Sequence, residues 1–140
     1  MQNRITCFQL NWYNCGLCFA ENIVQEEIAI DRNDNTIIIK EINGTGVVCS
    51  CNTIHADADK VENFFNFLEA VYQAWKSDYN ILVYDGSAWK MRLLHDANTI
   101  KEVQGTIQYP PCGKAIEEHI LSLVPSDNES FRPRMFGCSR

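Results

Sequence analysis

The sequence has no uninterrupted run of eighteen apolar residues, the length a bilayer-spanning helix needs. Its opening, Met1-Gln2-Asn3-Arg4-Ile5, lacks the basic-then-apolar order of a secretory signal, so a cytoplasmic protein with no membrane partner is expected. Positive charge is scarce. Twelve Lys and Arg stand against eighteen Asp and Glu, a formal net charge of -6 that repels nucleic-acid backbones and anionic lipid and suits a basic protein partner. The basic residues are also scattered, and the pairs Lys90 with Arg92 and Arg132 with Arg134 read as solvated faces. No internal repeat, linker or low-complexity stretch divides the chain. A phosphate-binding loop is missing as well, because Gly44-Thr45-Gly46 leads into a strand without the following Lys.

What is present suffices for one core. A chain of 140 residues with 46% hydrophobic side chains matches a single domain that needs no crosslinks. We read residues 1–125 as one α+β domain and residues 126–140 as a polar C-terminal tail that docks on the body or on a partner through Phe131, Met135 and Phe136. Seven cysteines are many for this length, but the odd number and the missing secretory signal point to reduced thiols, most of them small packing residues.

Alternation places Thr6, Phe8, Leu10 and Trp12 on one side of a half-buried strand and Cys7, Gln9 and Asn11 on the other. After a turn at Asn14-Cys15-Gly16, residues 17–20 suit a short strand and residues 19–28 suit a helix. Ile28 and Ile30 run into the turn formers of residues 31–35, and the β-branched residues 36–42 complete a hairpin. Residues 47–51 follow as another short strand. Asp59 with Glu62 matches a capping box, and Val61, Phe64, Phe65, Leu68, Val71, Tyr72 and Trp75 follow at helical spacing as a core stripe. Residues 79–84, 87–94 and 99–104 then read as a three-stranded meander, turning at Asp85-Gly86 and at Asp96-Ala97-Asn98. Within it Trp89, Met91 and Leu93 face the helix, and Lys90 and Arg92 face solvent. Pro110-Pro111 opens a last helix with Ile116, Ile120, Leu123 and Val124 on its apolar side, and Pro125 ends it. The expected fold is an antiparallel sheet of hairpins and a meander, packed on one long central helix and a C-terminal helix.

Candidate chemistry is sparse. Cys15-Gly16-Leu17-Cys18 is a CxxC with Trp12 just before it, the opening of a thiol-disulfide oxidoreductase, yet the hairpins around it lack the βαβ frame that such a site needs. Cys15, Cys18, Cys49 and Cys51, with His55, would offer zinc enough soft ligands if two segments met, but Cys49-x-Cys51 is not a zinc knuckle. His55, His95 and His119 fall in unrelated settings, and the last two read as solvent-facing. Asp57 with Asp59 and Glu117 with Glu118 read as helix-end carboxylates. No catalytic residue, cofactor or metal is therefore expected.

The run Tyr84-Asp85-Gly86-Ser87-Ala88-Trp89-Lys90-Met91, then Gly105, then Tyr109-Pro110, resembles a pattern found in small uncharacterised bacterial α+β proteins. It spans about forty residues and marks a fold, not an active site. Through that architecture and its acidity the chain is similar to immunity proteins of contact-dependent inhibition toxin systems. The resemblance implies a non-catalytic protein-binding module that neutralises a basic toxin domain by surface complementarity, and for such a module the acidic residues of the early hairpin, Glu26, Glu27, Asp31, Asp34 and Glu41, are the candidate contacts. The alternatives are the Cys15/Cys18 oxidoreductase and a structural homo-oligomer that exchanges the tail.

Overall fold

The computed structural model describes residues 4–14, 22–79, 87–106 and 112–124. Along the chain run β1 (Cys7–Asn14), β2 (Ile23–Asp31), β3 (Thr36–Asn43), β4 (Val48–His55), α1 (Ala58–Val71), a 3-10 turn at Tyr72–Ala74, β5 (Asp78–Tyr79), β6 (Ser87–His95), β7 (Asn98–Thr106) and α2 (Gly113–Leu123). The strands form one mixed sheet of seven in the order β4-β3-β2-β1-β6-β7-β5. Every pairing is antiparallel except β5 with β7, so the fold is α+β as expected while the purely antiparallel sheet is not.

Period-two alternation sets the sheet's two faces. Phe8 lies between Ile30 and Leu93, Leu10 between Ile28 and Met91, and Trp12 between Glu26 and Trp89. These side chains are buried and, with Ile37, Ile39 and Val103, form the sheet side of the core. Helix α1 meets that face where Phe64 packs edge-on against Phe8, ring centres 5.1 Å apart, and its Val61, Phe65 and Leu68 are fully buried. Ile116, Ile120 and Leu123 of α2 join the same cluster, and His119 of α2 stacks on Phe67 of α1 at 4.9 Å.

Three local expectations change. Residues 23–28 are strand, not helix, because Ile28 and Ile30 each pair across both flanking strands with apolar partners. Helix α1 begins at Ala58 with Asp57 as N-cap and no side-chain capping bond, so the Asp59/Glu62 box does not form. Glu62 instead turns to Arg32. The meander holds for β6 and β7, joined through Asp96 and Ala97 at φ 46° and 73°, but Asp78 and Tyr79 run parallel to Gln104 and Gly105 at the sheet's far edge. The Asp85-Gly86 turn, Pro110-Pro111 and residues 126–140 lie outside the described residues.

Arg32 ties the first hairpin to α1. Its side chain is 2% exposed and forms a two-bond fork with Glu62, Nε to Oε1 at 2.9 Å and Nη2 to Oε2 at 2.6 Å. Nη1 also donates to Glu69 Oε2 at 2.8 Å and to the Ile5 carbonyl at 2.9 Å, and the guanidinium sits 5.4 Å from the centre of the Phe65 ring. Glu69 Oε2 in turn accepts the Ile5 N–H at 2.8 Å. A buried charge is tolerated here because its donors are largely matched. Among the described residues no helix is long and apolar enough to cross a membrane.

Candidate functional site

The second face of the sheet is built from the alternate residues of the same strands. On β1 these are Gln9, Asn11 and Tyr13, none of them fully buried. Register places Ala29 and Arg92 on either side of Gln9, with Ile38 beyond Ala29 and Glu102 beyond Arg92. One row on, Asn11 lies between Glu27 and Lys90, with Lys40 beyond Glu27 and Gln104 beyond Lys90. A shallow depression of about 330 Å³ opens on this face, and Gln9, Asn11, Glu27, Ala29, Lys40 and Arg92 are among its walls.

Neighbouring side chains hold part of this wall in place. Gln25 Nε2 donates to Glu27 Oε2 at 3.1 Å, and Arg92 Nε donates to Glu102 Oε2 at 2.8 Å. The Arg92 bond holds the Glu102 carboxyl below the ordinary carboxylate range. Partial burial pushes the Tyr13 hydroxyl up, the Glu27 carboxylate adds to that shift, and Arg92 opposes it. On this face Lys40, Lys90 and Arg92 stand among the carboxylates of Glu27 and Glu102, with Asp31 and Asp78 at its margins, so both signs are interspersed.

The five acidic residues expected to meet a partner are not brought together. Glu27 lines the depression. Glu26 is 4% exposed on the core side, where it pairs in register with Trp12 and Glu41, so neither Glu26 nor Glu41 shares a face with Glu27. Asp31 ends β2 and accepts the N–H groups of Asn33 and Asp34 at 2.8 and 2.9 Å, and Asp34 is exposed in that turn. The alternation of β1 already marked Gln9 and Asn11 as one face. Glu27, Lys40 and Arg92 join them only through strand order and register, which no local pattern encodes.

Among the described residues the reactive groups are dispersed. Cys7, Cys49, Cys51 and Cys112 are free, and burial together with nearby Asp31 pushes the Cys7 thiol up, away from the reactive thiolate. Among the described residues no group of three or more His, Cys, Asp or Glu is placed to hold a metal ion. Cys15 and Cys18, the candidate redox pair and half of the candidate zinc ligands, lie outside the described residues. His55 is exposed at the end of β4, and His95 bonds through Nδ1 to the Arg4 carbonyl and reaches Asp96 through Nε2 at 3.3 Å. His119 is not solvent-facing as its helix-flank position suggested. It is half-buried between Phe67 and Phe64, and that burial lowers its pKa. No protein-family model matches the chain, and no curated protein matches it.

Proposed function

We propose that the chain is a non-catalytic protein-binding module of the cytoplasm, in its most concrete form an immunity protein that neutralises a bacterial toxin domain by surface complementarity. The observation that supports this reading is the depression on the second sheet face: its walls are amides, fixed charges and aliphatic carbons, with no thiol or imidazole among them. Such a surface suits recognition through hydrogen bonds and charge pairs. Net charge of -6 draws a basic domain toward the molecule from a distance. The interspersed signs of Lys40, Glu27, Lys90, Arg92 and Glu102 then fix its register, because a shifted partner meets like charges. Of the acidic residues named from sequence, Glu27 is the contact this geometry favours.

The test is co-expression with the C-terminal domain of a secreted protein encoded immediately upstream of this chain. Growth arrest by that domain alone, relieved by this chain, together with co-purification of the two, supports the reading. A combined Glu27→Lys and Arg92→Glu variant is expected to lose protection while keeping its fold. Unrelieved arrest, or full protection by the charge-reversed variant, overturns it.

A further inference from the structure

β4 ends the sheet, and its outer edge has no described strand beside it. Most of its residues are exposed. Free edges are normally blunted by Lys, Pro, a short strand or a covering segment, since a free ladder of N–H and C=O groups invites pairing. Along Ser50-Cys51-Asn52-Thr53-Ile54-His55 β4 contains no Lys or Pro, and among the described residues no strand or helix covers it. Its one irregularity lies at the other end, where β3 steps from Glu41 to Ile42 while β4 steps from Ser50 to Val48, leaving Cys49 as the additional residue.

The hydrogen-bond phase of this edge is fixed. Ala56 N–H donates to the Asn35 carbonyl at 2.8 Å, so by antiparallel alternation the backbone groups of Ser50, Asn52 and Ile54 point to β3. Those of Cys51, Thr53 and His55 point outward. Opposed residues in a sheet must share a face, so a two-fold axis normal to the sheet has to pass through a residue position and not between two. Centred on Thr53, a second β4 uses every outward group: Thr53 faces its own copy, and Cys51 faces His55 on both sides of the axis. Centred on Asn52, the pairing would run His55 into the irregularity at Cys49.

Charge selects the occupant. From Val48 to Ile54 the strand carries no charged side chain, although the chain as a whole is at -6. A basic partner would find no acid to bind there, whereas a second copy meets no like charge, the condition self-pairing requires. A contact of β4 with its own copy is isologous, so it closes as a two-fold dimer and not as an open chain.

We propose that β4 pairs antiparallel with β4 of a second copy of this chain about an axis through Thr53, joining two seven-stranded sheets into one. The helix-bearing faces then lie on one side and the two depressions on the other. This pairing does not depend on the toxin-binding reading.

Sedimentation velocity of the full chain in reducing buffer, over a hundredfold concentration range, tests it. Wild type is expected to sediment as two chains of 16.0 kDa each. Thr53→Pro removes an outward N–H and leaves the bonds to β3 intact, so it is expected to sediment as one chain with an unchanged circular dichroism spectrum. Thr53→Lys and Thr53→Glu set like charges face to face and are each expected to be single chains. Mixed, they are expected to recover the dimer. A single-chain wild type, a dimeric Thr53→Pro, or a Lys/Glu mixture that stays dissociated overturns the proposal.

Discussion

Arg32 shows how one side chain can join elements that are distant in sequence. It arises in a turn between two strands, yet it is buried against two carboxylates and an asparagine of α1. Removing the guanidinium leaves the Ile5 carbonyl without this donor and Glu69 with an uncompensated, partly buried charge. Arg32→Ala is therefore expected to lower unfolding stability by about 3–5 kcal/mol, read from the urea midpoint at constant slope. Arg32→Lys keeps the charge but not the fork, and should fall between the two. Gly105 is a second pivotal residue, for the opposite reason: a Cβ there would lie 2.8 Å from Trp89 Cε2 and 3.0 Å from Tyr79 Cβ. Both neighbours are ring-bearing and packed on each other at 6.2 Å between centres. Gly105→Ala is expected to cost about 1–3 kcal/mol and to shift the tryptophan emission as Trp89 moves. An unshifted spectrum with wild-type stability would mean that Trp89 is not seated on this glycine.

At the scale of elements, helix α1 separates two meanings of one motif. Asp59 and Glu62 have the spacing of a capping box, but a box works only if the N-cap is Asp59, and the helix starts one residue earlier. Asp59→Ala should then change stability by no more than a few tenths of a kcal/mol, the scale of a charge near a helix start. Glu62→Ala should cost clearly more, because it breaks the Arg32 fork. Equal effects of the two substitutions would restore the capping role. The same contrast explains what could be read in advance. Where one face of an element is buried, as on β1, β6 and α1, the period of its own residues reveals it: Phe8, Leu10 and Trp12, or Trp89, Met91 and Leu93. Where an element's state depends on its neighbours, the local pattern fails. Residues 23–28 carry a spacing that fits helix or strand and are settled by β1 and β3 on either side. β5 is two residues long, and its parallel partner lies more than twenty residues further on. The candidate site divides in the same way, with Gln9 and Asn11 legible from alternation and Lys40, Glu27 and Arg92 assembled only by strand order. Glu26 was legible as acidic but not as buried, because its place opposite Trp12 is a matter of register.

For the molecule as a whole, titration couples these local arrangements to stability. The Arg32 fork holds Glu62, and Arg92 holds Glu102, below the ordinary carboxylate value of 4.5. For both, stabilisation is complete above that value and is lost as pH falls through the depressed folded value. His119 is depressed below 6.5 by burial against the phenylalanines. The unfolded chain therefore takes up that proton first, and stability declines from 6.5 downward, above the range in which Glu62 and Glu102 titrate. On the alkaline side the signs reverse. Cys7 is raised above 9.0 and Tyr13 above 10.0, mainly by burial, so the unfolded chain ionises first and stability falls from 9.0 upward. The thermal midpoint is thus expected to be flat between 6.5 and 9.0 and to fall on both sides. His119→Phe keeps an aromatic ring on Phe67 and removes the proton site, so it should extend the plateau toward the carboxylate range and leave the alkaline limb unchanged. A His119→Phe variant whose midpoint falls below 6.5 as steeply as the wild type would mean that His119 does not set the acid limb.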